Sequence, residues 1–71
     1  MIAEPLKITL AAARGNAGLT QDDVARRIHV SKQTIVNWEK GKVIPTFSVM
    51  TTLSGLYNIS IDNIFLPEKS T

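Results

Sequence analysis

Apolar residues recur along the chain at helical spacing, in short stretches separated by glycine, asparagine and proline. Leu6, Leu10 and Ala13 share one face and predict a first helix that begins near Pro5, a residue suited to a first turn. Gly15-Asn16 weakens its last turn, and Gly18 stops it. Thr20 opens a second helix with a hydroxyl cap, Asp22 and Asp23 meet the positive end of its dipole, and Val24, Ala25 and Ile28 form its apolar face. Ser31 caps a third helix, Lys32 to Lys40, with Ile35 and Trp38 facing inward and Gly41 ending it. Pro45-Thr46 starts a fourth, whose buried side is marked by Phe47, Met50, Leu53, Leu56 and Tyr57, and Asn58 terminates it. Ser60 caps a short fifth helix carrying Ile61, Ile64 and Phe65, and Pro67 prevents its continuation. No stretch alternates as a strand does. The predicted fold class is all-α: a compact bundle of five short helices in a single domain over 1–71, with its core in about 6–66 and a short tail at 67–71.

Composition narrows this picture. Seventy-one residues make one domain, and a domain of that size buries only about 60% of the surface its unfolded chain exposes. With no cysteine, neither a disulfide nor a thiolate metal site can staple it, so stability must come from helix packing or a second copy. Met1-Ile2-Ala3-Glu4-Pro5 does not read as a signal peptide, and no apolar run approaches the roughly 20 residues of a bilayer span. A cytoplasmic location is expected.

Net charge is only +2, but its distribution is uneven. Arg26, Arg27, Lys32, Lys40 and Lys42 face a single acid, Glu39, between positions 26 and 42; the flanks carry the other five acids and three bases. A basic block in a nearly balanced chain is the footprint expected for phosphate contacts. Only His29-Val30-Ser31 separates the second and third helices, and so short a turn forces a tight, angled helix-turn-helix pair. In such a unit the second helix enters the major groove. With Ile35 inward, Trp38 and Glu39 lie toward the same side, while Gln33, Val36, Asn37 and Lys40 fall opposite. Gln, Asn and Lys supply the donors and acceptors that base edges and phosphates require; Val36 can meet a thymine methyl, and Ser31 and Thr34 add hydroxyls.

The run Leu19-Thr-Gln-Asp-Asp-Val-Ala-Arg-Arg-Ile28, then Val30-Ser31, Thr34-Ile35, Asn37-Trp38-Glu39-Lys40-Gly41 and Pro45, resembles the phage Cro and repressor helix-turn-helix family, also called the XRE family. The likeness continues through Leu53 and Ile59-Ser60-Ile61-Asp62-Asn63-Ile64-Phe65, covering about residues 6 to 66. It implies a sequence-specific regulator of transcription acting on double-stranded DNA, expected to be a repressor of phage, prophage or bacterial origin. By position it implies base reading by Lys32, Gln33 and Asn37, with Thr34 and Val36 beside them. It implies phosphate contacts from Gln21, Lys40 and Lys42, beside which the Ser31 hydroxyl at the helix start is also expected to meet a phosphate, and a structural pair between Arg14 and Glu39. Ala25 matches the small residue where the two helices touch, and Ile28, Val30 and Ile35 match the core. One position departs: His29 stands where the family usually has glycine, because the backbone there adopts φ > 0, a region histidine visits more readily than most residues.

Other classes find less support. There is no nucleophile–base pair with a third member, no phosphate-cradling glycine loop and no metal-ligand cluster, so neither an enzyme nor a cofactor or metal is expected. Asp22 and Asp23 are adjacent on a helix and point about 100° apart. An adaptor that has lost DNA binding predicts an acidic or apolar outer face on the third helix, and an antitoxin needs further surface for its toxin. The expected assembly is a homodimer on a palindromic operator, joined through Tyr57, Ile61, Phe65, Leu66 and the tail to Thr71, although Ile61 and Phe65 equally suit closure of the monomer core.

Overall fold

Hydroxyl side chains set where the helices begin. The computed structural model describes residues 7–66. They run in the order β1 (Ile8–Thr9), α1 (Leu10–Asn16), α2 (Gln21–Ile28), α3 (Lys32–Lys40), α4 (Phe47–Tyr57), a 3-10 turn (Ile61–Asn63) and β2 (Ile64–Phe65). Thr9, Thr20, Ser31 and Thr46 each precede a helix in extended conformation, and each side chain accepts from the backbone N–H three residues on. At Thr20 the cap is reciprocal: the Asp23 N–H donates to Thr20 Oγ1 at 3.0 Å, and the Thr20 N–H donates to Asp23 Oδ2 at 2.9 Å. Those bonds from Thr20 hold the Asp23 carboxyl below its ordinary range.

Left-handed residues follow α2, α3 and α4 as their C-caps: His29, Gly41 and Asn58; Gly18, also at positive φ, closes the turn after α1. His29 sits at φ 59°, ψ 46°, and the next N–H, of Val30, reaches back to the Ala25 carbonyl at 3.0 Å. A side chain with a Cβ is strained in this region by roughly 1–2 kcal/mol, whereas glycine is not. His29 is exposed and forfeits little packing if replaced. His29→Gly is therefore expected to raise stability by up to about 1 kcal/mol, after glycine's greater unfolded-state entropy is subtracted. A urea melt that leaves the variant no more stable than the wild type contradicts strain at the turn.

Two expected helices are corrected. The first helix begins at Leu10 rather than near Pro5, because Ile8–Thr9 is extended and Thr9 caps the Ala12 N–H; Pro5 and Leu6 lie outside the described residues. The fifth helix is a single 3-10 turn followed by a strand. Ser60 Oγ accepts from Asp62 N–H only two residues on, and Ile64–Phe65 then pairs in parallel with Ile8–Thr9, Ile8 opposite Ile64 and Thr9 opposite Phe65. β-branched and aromatic residues suit that pairing, which closes the two ends of the described chain against each other. The fold remains helical, with four α-helices among the described residues.

Leu10, Ala13, Val24, Ala25, Ile35, Trp38, Met50, Leu53, Tyr57 and Ile64 form the core. Phe47, expected inside, is 77% exposed. It is the first residue of α4, and helical side chains lean toward the N-terminus, so it projects past the core that Met50, Leu53 and Tyr57 fill from the same helix. Leu56 is partly buried against that core. The C-terminal apolar surface is also smaller than expected. Tyr57 is buried, Ile61 and Leu66 pack part-buried on the core, and only Phe65 stands half exposed; the tail beyond Leu66 lies outside the described residues.

Candidate nucleic-acid interface

Ile35 and Trp38, at 1% and 8% exposure, fix the rotation of α3 about its axis. Lys32, Gln33 and Lys40 consequently stand in solvent, with Thr34, Val36 and Asn37 half-buried beside them. Ala25 on α2 is small enough for the two helices to approach across the three-residue turn. Gln33 Nε2 donates to Asn37 Oδ1 at 3.0 Å, one helical turn along the outer face. The Ser31 and Thr34 hydroxyls are hydrogen-bonded to each other at 2.9 Å at the start of the helix. Lys32 Nζ lies 3.8 Å from Asp22 Oδ2, with both groups more than half exposed. Such a pair contributes under about 1 kcal/mol, so the ammonium is free to turn elsewhere. Lys42 is exposed just beyond the Gly41 cap, where its N–H bonds the Asn37 carbonyl at 2.9 Å.

Behind this face lies a charged cluster that clamps three elements. Arg14 on α1 meets Glu39 on α3 through two bonds, Nε to Oε2 at 2.7 Å and Nη2 to Oε1 at 3.3 Å. Its third nitrogen, Nη1, donates to the Leu19 carbonyl at 3.0 Å, in the turn before α2. Gln21, the first residue of α2, donates from Nε2 to Glu39 Oε1 at 3.0 Å. The bond to Glu39 raises the Arg14 guanidinium above its ordinary pKa. Helical periodicity places Glu39 toward the inside, but the Gln21–Glu39 and Arg14–Leu19 bonds depend on how α1, α2 and α3 pack. No spacing in the sequence carries them.

Tyr57 reports on the same cluster. Burial first, and the Glu39 charge second, push its hydroxyl up to about 12. A phenol raised in the folded state above its unfolded value of about 10 adds stability at lower pH, and that contribution is lost as pH climbs from about 10 to about 12. The folded protein is expected to show phenolate absorbance only above pH 11, and Tyr57→Phe to flatten the alkaline fall in stability. Phenolate appearing near pH 10 without unfolding contradicts this assignment.

Two short helices on a three-residue turn, with a polar outer face on the second, define a helix-turn-helix protein. The model of the helix-turn-helix family matches residues 10–64, and the chain belongs to that family, of the Cro and repressor (XRE) type. It is 35% identical over 63 residues to an uncharacterized HTH-type transcriptional regulator of Methanocaldococcus jannaschii, covering 89% of this chain and 96% of that one. An uncharacterized HTH-type transcriptional regulator of Archaeoglobus fulgidus is 34% identical over 53 residues, 75% of each chain. The HTH-type transcriptional activator BcrR of Enterococcus faecalis is 30% identical over 60 residues, 84% of this chain but 29% of its own length. Among the described residues no helix is long and apolar enough to cross a membrane.

Proposed function

We propose that this chain is a single DNA-binding domain that regulates transcription in the cytoplasm by binding a specific double-stranded sequence. The carrying observation is the outward polar face of α3 in a helix-turn-helix whose other faces are locked into the core. α3 lies in the major groove, with Lys32, Gln33, Thr34, Val36 and Asn37 toward base edges. Ser31, Lys40 and Lys42 lie beside phosphates, and Gln21 reaches a phosphate from the N-terminus of α2, where helix-end N–H groups favour anions.

One domain reads too few base pairs to select a site among the roughly 10⁶ or more competitors in a genome. A homodimer on a palindromic operator, its half-sites about one helical turn apart, removes that difficulty. The half-exposed Phe65 and the outer side of β2 are the surface for it. Repression is the favoured mode because a dimer that covers a promoter needs only the DNA-facing surface and the contact between its two copies.

Selection of bound duplexes from a random pool tests this reading. A palindromic consensus is expected; no enrichment overturns sequence-specific binding. Sedimentation of the complex should give two copies per operator, and one copy per operator overturns the dimer. A promoter overlapping the operator should lose output when the protein is expressed, and a gain overturns repression.

A further inference from the structure

We propose that Asn37, besides its own place toward the base edges, is a positioning residue that fixes the polarity of the Gln33 amide, so that Gln33 reads adenine and rejects guanine. The proposal rests on the reading of α3 as the major-groove helix and names what that helix recognises at one position. A glutamine amide carries two N–H donors and one carbonyl acceptor. In this protein one of the donors is committed, because Gln33 Nε2 gives a hydrogen to Asn37 Oδ1 at 3.0 Å. What Gln33 has left for a partner is one N–H and its carbonyl, side by side.

That remainder discriminates between purines. Adenine presents an N6 donor and an N7 acceptor in the major groove, and both are matched at once. Guanine presents O6 and N7, both acceptors, so one of them meets the Gln33 carbonyl and the contact becomes repulsive. A glutamine with both hydrogens free can instead turn its NH₂ toward guanine. The Gln33–Asn37 bond is weak while water surrounds it, and it strengthens when a duplex excludes that water. Gln33 and Asn37 lie one turn apart on the exposed outer face of α3, so a duplex seated on that face covers both amides together.

The test uses the full chain in two arms. Without DNA, nuclear magnetic resonance of the Gln33 side-chain amide should show a shift and faster hydrogen exchange in Asn37→Ala; unchanged resonances overturn the pairing. With DNA, duplexes carry A·T, G·C or 7-deazaadenine paired with thymine at the operator position whose identity Gln33→Ala no longer senses. The wild type should favour adenine over guanine by about tenfold or more and lose a similar factor with 7-deazaadenine. Asn37→Ala should bring adenine and guanine to within about threefold, whereas Asn37→Asp, which keeps the accepting oxygen, should retain the preference for adenine. An adenine preference that survives Asn37→Ala overturns the proposal, as does a wild-type preference for guanine, the mark of Asn37 donating to Gln33. If no operator position responds to Gln33→Ala, the reading of Gln33 as a base contact fails, and this inference falls with it. A position that responds to Gln33 but not to Asn37 overturns the inference alone.

Discussion

Arg14→Ala is expected to lower stability by about 2–4 kcal/mol, because it strands a nearly buried carboxylate. The Glu39 side chain is only 8% exposed, and its oxygens are met by Arg14 at 2.7 and 3.3 Å and by Gln21 at 3.0 Å. Without the guanidinium, one amide N–H remains to compensate a full charge. The Leu19 carbonyl loses its donor as well. The loss is asymmetric: Glu39→Gln leaves Arg14 with 20% exposure and the Leu19 carbonyl, so the cation keeps some water and one partner. That variant should cost less, about 1–2 kcal/mol. Replacing both partners with apolar residues of similar size should recover most of the loss, since it is the unpaired charge, more than the missing attraction, that destabilises. The effect should persist in salt, where the exposed Lys32–Asp22 pair is screened. Coincident urea melts for the wild type and Arg14→Ala would show that the pair behaves as two independent surface charges.

What was legible in the sequence was whatever depends on neighbours in the chain. Thr20 and Ser31 as caps, Pro45-Thr46 as a start, and Gly41 and Asn58 as stops are local requirements of backbone geometry, so the starts of α2, α3 and α4 and the ends of α3 and α4 could be read from them. The rotation of α3 was equally readable, because Ile35 and Trp38 leave one choice of inward face. The departures all involve partners distant in sequence. Ile8–Thr9 looked helical because Leu10 and Ala13 continue a helical stripe; only Ile64–Phe65 makes the extended form worthwhile. Phe47 fits the periodicity of α4 yet lies beyond the point where the core ends, and periodicity carries no information on where a core ends. The bond from Gln21 to Glu39 spans two helices and arises only from their packing.

Gln33→Ala and Lys40→Ala are expected to weaken DNA binding in different ways. Both side chains stand in solvent on α3, so neither substitution should disturb the core, and alanine favours the helix. Gln33 lies at the second helical position, the end of a recognition helix that approaches base edges, and it carries a donor and an acceptor on one planar group. Its loss should cost about 1–3 kcal/mol on the cognate duplex, change little on scrambled DNA, and relax preference at one base pair per half-site. Lys40 is the last residue of α3, a point charge suited to phosphate oxygens, which are the same in every sequence. Lys40→Ala should therefore weaken binding to cognate and scrambled duplexes by the same factor. It should also reduce the dependence of log affinity on log salt by about one unit for each phosphate contact removed, because fewer counterions are released. Salt titrations of both variants on both duplexes separate the roles. Equal losses on the two duplexes for Gln33→Ala would make it a backbone contact, and a cognate-only loss for Lys40→Ala would make it a base reader.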